Sequence, residues 1–436
     1  MCITYAFGEE KQMSIQDNKK TKSTENTDSE YSLSAVPSSS QTQGVWAAMA
    51  VLVGFTFFAP SMTAGGNLGL GFNLTGFITV VALGNAFLGL YCGTLAHIGQ
   101  KTGLSYDLLA HHSFGTLGSY FPSAIIGITQ TGWFGVGIAM FSIPVANLLG
   151  IPVWVMVGIT GFVMILTAYF GIKSLAVLGS IAVPLIAVLG AYSVFSAVND
   201  SGGISQVFNE NPENPLTLAA GVTIVIGSFI SGGTTTPNFA RFSRKNWIAI
   251  VATVTAFFIG NSVMMIYGAF GGAAVGEADI FVIMIAQGLT IPAIITLGFN
   301  IWASNNHAIY SAGLSTSNIT KTKMKPNVII TGTIGTLASV WLYNHFVAYL
   351  TALGGIIPPI GAVLIIHYFM NKNEYMDKNY KYQKINIGSV AAVVCGTLVG
   401  LFVNWGISPV NSLLTAAVVC LIFELAGRNK KGSKVA

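Results

Sequence analysis

Gln130 and Trp133 stand three residues apart in a run without charge, so on a helix both side chains face the same way. The pairing suits a planar heterocycle. An indole offers a π face, and stacking is worth about 1 to 3 kcal/mol per base in other systems. A carboxamide can address an edge of alternating donors and acceptors. A membrane tryptophan is more commonly a packing or interface residue, and Trp133 stands out only because Gln130 lies beside it. A second group, Asn300, Ser304, Asn305 and Asn306, occupies another apolar run. Amides there must pair with other helices or line a polar site; we assign Asn306 to bonding between helices and Asn300 to a ligand. Glu424 is the one acidic residue inside the apolar runs. Proton-coupled carriers generally place Asp, Glu or His chains in the membrane, so this absence favours a metal cation, and a hard cation favours oxygen ligands.

Two of the runs that must hold these residues are interrupted. The first reads Val51-Leu52-Val53-Gly54-Phe55-Thr56-Phe57-Phe58-Ala59-Pro60, then Gly65-Gly66; the sixth reads Ile224-Val225-Ile226-Gly227-Ser228-Phe229-Ile230-Ser231-Gly232-Gly233, then Pro237. An unwound backbone in hydrocarbon leaves amides and carbonyls unpaired, so it is expected only where it lines a cavity or binds something. Paired interruptions, one in each half, point to a midplane binding site between inverted repeats. The plainer alternative is that these glycines and prolines mark kinks or close-packing faces.

Composition places the chain in a bilayer: 53% hydrophobic and 8% charged, with a mean hydropathy of +0.67. A span needs about 20 apolar residues. We place twelve, near 46–64, 74–98, 120–149, 152–171, 174–198, 216–236, 247–275, 289–317, 327–344, 346–370, 386–404 and 408–427. With a cytoplasmic N-terminus, all 20 Lys and Arg fall in the tails and cytoplasmic segments, while the opposite loops carry Asp200, Glu210, Glu213, Glu277 and Asp279. The positive-inside rule is thus obeyed throughout. Residues 1–44, polar and without an apolar run, are expected to be a disordered cytoplasmic tail. A ten-helix core follows over 45–371, in two five-helix repeats of about 45–199 and 216–371. Two further spans with their preceding loop fill 372–427, and 428–436 form a cytoplasmic tail.

Several functions are excluded or disfavoured. The basic residues border spans instead of forming a groove with interleaved aromatics, which argues against nucleic acid. Cys2, Cys92, Cys395 and Cys420 show no paired spacing. His97, His307, His345 and His367 have no acid or second histidine at ligand spacing and read as structural. An intramembrane enzyme lacks its acid pair, metal cluster or activated nucleophile, and a channel its filter loops or charged rings.

Gly54-Phe55-Thr56-Phe57-Phe58, Gln130-Thr131-Gly132-Trp133-Phe134-Gly135-Val136-Gly137, Gly227-Ser228-Phe229-Ile230-Ser231, Asn300-Ile301-Trp302, Trp341-Leu342-Tyr343-Asn344 and Pro358-Pro359 follow one another along the chain. In these the sequence resembles the nucleobase–cation symporter-1 family, of the purine–cytosine permease type, over nearly everything after about residue 45. The resemblance implies an all-α membrane protein with the ten-helix core of the sodium-coupled amino-acid transporters, spans 1 and 6 being discontinuous. It implies a nucleobase, cytosine in the first instance, stacked on Trp133 and Phe229, with Gln130, Ser228, Ser231 and Asn300 addressing its edge. It also implies a co-transported sodium ion held by carbonyls of Gly54, Phe57, Asn300 and Ala303 and the hydroxyl of Ser304. Ala303-Ser304 replaces two adjacent threonines usual in that family, and His111 replaces a usual arginine. The expected activity is import by sodium symport with alternating access, across the cytoplasmic (inner) membrane, by a monomer with both termini inside. Another small heterocycle (hydroxymethylpyrimidine, a purine or a hydantoin) and proton coupling are the alternatives.

Overall fold

A computed structural model describes residues 34–170, 173–377 and 380–432. Helix occupies each of the twelve expected runs. We label the helices α1 (Val45–Thr56), α2 (Ala59–Gly71), α3 (Leu74–Thr102), α4 (Tyr106–Phe114), α5 (Tyr120–Leu149), α6 (Val153–Phe170), α7 (Lys173–Asp200), α8 (Leu218–Thr234) and α9 (Pro237–Ala240). The second half of the chain supplies α10 (Asn246–Val254), α11 (Asn261–Val275), α12 (Ile280–Ala286), α13 (Thr290–Thr320), α14 (Met324–Asn344), α15 (Phe346–Ile356), α16 (Pro358–Met370), α17 (Ile387–Phe402) and α18 (Ser408–Gly432). Among the described residues, six helices or continuous helix pairs are long and apolar enough to cross a membrane by themselves, and the bent pair α1–α2 makes a seventh. Their outer faces carry exposed apolar side chains such as Leu90, Ile128 and Val188, which a hydrocarbon solvent accepts at no cost.

The first interruption falls where the sequence puts it. Phe57 and Phe58 leave helical geometry, with Phe58 extended at φ −125° and ψ 118°. Pro60 lies in the first turn of α2, where its missing N–H costs nothing, and the two helices meet at 53°. Gly65 and Gly66 are not part of the break. They lie inside α2, and a Cβ at Gly65 would come within 2.2 Å of the Met265 carbonyl oxygen. Here small residues let two membrane helices touch backbone to backbone.

The second interruption is displaced from the expected position. Helix α8 runs unbroken through Gly227-Ser228-Phe229 to Thr234, and the chain leaves the helix only at Thr235-Thr236, before the short α9. The glycines of α8 are packing positions: a Cβ at Gly227 would sit 2.1 Å from the Leu350 carbonyl oxygen on α15.

The expected disordered tail needs a second correction. Residues 1–33 lie outside the described part, but 34–44 are tied down against the end of α3 and the segment that follows α9. The Val36 amide donates to the Gly103 carbonyl at 2.8 Å, and Gln43 pairs with Ser243 in a short parallel bridge, its amide donating to the Phe242 carbonyl at 3.0 Å and its carbonyl accepting the Arg244 amide at 2.9 Å. The Gln41 carboxamide donates to the carbonyls of Gln100 and Arg241 at 2.9 and 3.0 Å.

Candidate substrate and cation sites

Helices α1, α2, α5, α8 and α13 converge where α1 breaks. Phe55, Phe58, Gln130, Trp133, Ser228, Phe229, Gly232, Ser304 and Ala308 line a pocket of about 290 Å³, a volume that includes the open solvent at its mouth. Trp133 and Phe229 are 4% and 3% exposed. Phe58, just beyond the break, packs edge-on against both, with ring centroids 5.4 Å from Trp133 and 5.8 Å from Phe229. Phe55 closes the other side of Phe229 at 5.3 Å. Edge-to-face packing of this kind fixes ring planes, so the aromatic wall is built before any ligand arrives.

Four of the expected base-contacting residues, Gln130, Trp133, Ser228 and Phe229, line this cavity. Ser231 stands behind them: its hydroxyl oxygen accepts the Trp133 indole N–H at 2.8 Å and the Gln130 amide at 3.5 Å. The Ser228 hydroxyl donates to the Val225 carbonyl at 2.7 Å, leaving its oxygen able to accept. Asn300 is not part of the lining. Its Oδ1 accepts the Ala59 amide proton at 2.8 Å and its Nδ2 donates to the Phe57 carbonyl, so its side chain splices the broken span. Phe55 and Phe58 went unread as site residues, although both sit in the motif that marks the break.

The oxygens expected around a cation gather at the same break. Phe57 bonds the Asn300 amide, and the Ser304 hydroxyl donates to the Asn300 carbonyl. The Ala303 carbonyl meets His307 Nδ1 at 3.0 Å, a neighbour the sequence did not suggest. Gly54 lies within the last turn of α1, whose carbonyl end contributes a negative field. Among the described residues no group of three His, Cys, Asp or Glu could hold a metal. The expected donors are all neutral oxygens, chemistry suited to a hard cation. Ser304 belongs both to this expected set and to the cavity lining.

The other buried amides divide differently from expectation. Asn305 bridges helices, its Nδ2 donating to the Phe134 carbonyl at 3.1 Å. Neither amide atom of Asn306 has a partner among the described residues.

Helix α4 carries a buried acid. Asp107 is 2% exposed and accepts from the Ser123 hydroxyl at 2.5 Å. Burial pushes its carboxyl up to about 6, against the opposing effects of the Ser123 and Ser315 hydroxyls and the Arg241 charge. Asn318 extends the network, donating to Ser123 at 3.0 Å while its Oδ1 meets His111 Nε2 at 2.8 Å and accepts from Lys321 at 3.1 Å. Burial holds His111 below the ordinary histidine value. Asp279 caps α12 and accepts from the Tyr343 hydroxyl at 2.5 Å.

With this arrangement in view, comparison with known proteins is decisive. Residues 35–422 match the family described as permease for cytosine/purines, uracil, thiamine, allantoin. The chain belongs to that family. The cytosine permease of Escherichia coli (strain K12) is 46% identical over 400 residues, covering 91% of this chain and 94% of the relative. The hydantoin permease of Microbacterium maritypicum is 22% identical over 363 residues, covering 75% and 71%. Among solved structures, Mhp1, a nucleobase–cation-symport-1 family transporter in a closed conformation with bromovinylhydantoin bound, superposes with a TM-score of 0.76 at 18% identity, covering 88% of this chain and 92% of that one. This permease is accordingly an all-α integral membrane transport protein with the Mhp1 fold, and not an enzyme.

Proposed function

We propose that this permease imports cytosine across the cytoplasmic (inner) membrane by sodium symport with alternating access. The observation that carries the reading is the cavity at the break of α1. Its wall is aromatic, its polar groups are neutral, and Ser304 in its lining donates to the Asn300 carbonyl. In this reading a planar uncharged base stacks on Trp133 and Phe229, with Gln130 and Ser228 at its edge and Ser231, which accepts the indole N–H, orienting Trp133 from behind. The similarity to a cytosine permease at 46% identity supports cytosine as that base.

Sodium is assigned to the carbonyls of Gly54, Phe57, Asn300 and Ala303 and the Ser304 hydroxyl. A cation there is stabilised by the negative end of α1 and orders the break that carries Phe55 and Phe58, so base and ion favour each other's binding. The membrane arrangement proposed with it has twelve spans, both termini cytoplasmic, the repeats 45–199 and 216–371 forming the core, and one protomer sufficing for transport. Uptake of radiolabelled cytosine into proteoliposomes under an imposed sodium gradient, with unlabelled uracil, hydantoin, hydroxymethylpyrimidine and purines as competitors, tests substrate and ion together.

A further inference from the structure

Helix α15 crosses the outer side of both pocket helices through two adjacent residues. The Leu350 carbonyl presses on Gly227 of α8, one residue before Ser228, and the Tyr349 hydroxyl presses on Gly132 of α5, one residue before Trp133. Tyr349 does not line the cavity. Its ring packs edge-on against Trp133, with centroids 5.4 Å apart and planes at 72°. Its hydroxyl donates to the Thr129 carbonyl at 2.6 Å. In an α-helix that carbonyl is also the acceptor of the Trp133 backbone N–H, so Tyr349 is anchored to the peptide group that holds Trp133 in place. With Ser231 on the indole nitrogen and Phe58 on the opposite edge, the ring has little freedom left.

We infer that Tyr349 is a positioning residue for base recognition: it sets the plane of Trp133 from behind, and Gly132 is glycine because the Tyr349 hydroxyl occupies the space of a side chain. A Cβ at position 132 would lie 2.6 Å from that oxygen and 3.1 Å from the ring carbon bearing it. The first contact forces a displacement; the second needs only a few tenths of an ångström. The inference rests on the reading that the base stacks on Trp133.

The test is equilibrium binding of cytosine to purified protein at saturating sodium, with uptake kinetics alongside, for Tyr349→Phe, Gly132→Ala, their combination and Trp133→Ala. Tyr349→Phe removes one hydroxyl and keeps the ring, so it should raise the cytosine Kd about three- to tenfold, the worth of one hydrogen bond, with the maximal uptake rate and the half-saturating sodium concentration unchanged. Gly132→Ala should weaken binding further. The double variant should bind more tightly than Gly132→Ala alone, because the clash is then relieved, a coupling that a remote structural effect does not produce. Wild-type affinity in Tyr349→Phe overturns the inference, and where Trp133→Ala weakens binding it does so while leaving the stacking site intact. Unchanged affinity in Trp133→Ala removes the stacking site, and the positioning role with it. Tyr349→Phe alone suffices should Gly132→Ala fail to fold.

Discussion

Asn300 holds together the break in the first span: its Oδ1 accepts the Ala59 amide proton at 2.8 Å while its Nδ2 donates to the Phe57 carbonyl. One side chain on α13 thus satisfies the two backbone groups that the interruption sets free. Asn300→Ala leaves both buried and unpaired, at about 1 to 3 kcal/mol each. The expected result is a lower thermal midpoint for the detergent-purified protein and a weakened sodium response. The rank order of cytosine, uracil and 5-substituted analogues should be preserved. A change in that order with unchanged stability would place Asn300 at the base edge instead.

Stacking predicts a loss that does not depend on the base. Trp133→Ala should cost about 1 to 3 kcal/mol of binding, roughly five- to more than a hundredfold in Kd, for every base that binds. Gln130→Ala should instead reorder the bases, because an unmatched edge reader penalises particular donor and acceptor patterns. Competition binding on purified variants separates the two.

Ser304 belongs both to the proposed cation set and to the cavity lining. Ser304→Ala removes one oxygen from the cation set and one hydrogen bond to the Asn300 carbonyl. Half-saturating sodium should rise several-fold, while cytosine affinity at saturating sodium should fall by less than about threefold. Isothermal titration at two sodium concentrations reads both.

Asp107 should make the protein less stable as pH rises. Its folded value is raised from 3.8 to about 6 by burial, so its contribution to stability is fully present below pH 3.8 and is lost as pH rises through about 6. His112, lowered by burial to about 4, works in the opposite direction, losing stability as pH falls from 6.5 towards 4. Comparing Asp107→Asn with wild type isolates the first effect: between pH 4 and 6.5 the wild-type melting temperature should fall relative to that of the variant. Parallel curves for the two proteins would rule the effect out.

Much of this was legible in the sequence because a bilayer imposes simple rules. Charge and apolar length placed the helices, and Phe57-Phe58-Ala59-Pro60 marked the first break through a proline that can start a helix but not continue one. The second break was misplaced because glycine signals both unwinding and close packing. Only the partner backbone, Leu350 against Gly227 or Met265 against Gly65, separates those uses. Asn300, Asn305 and Asn306 were likewise indistinguishable as residues: which one splices, which bridges and which stays unpaired depends on the facing helix. Asp107 lacked any local signal of burial, since the groups around it, Ser123, Ser315 and Arg241, come from other parts of the chain.

The most direct test of the account is initial-rate uptake of radiolabelled cytosine into proteoliposomes holding purified protein, with sodium and proton gradients imposed separately. The account predicts uptake that follows the inward sodium gradient, collapses when sodium is replaced by potassium, and is abolished or strongly reduced by Trp133→Ala. Uptake that follows the proton gradient and ignores sodium would contradict it.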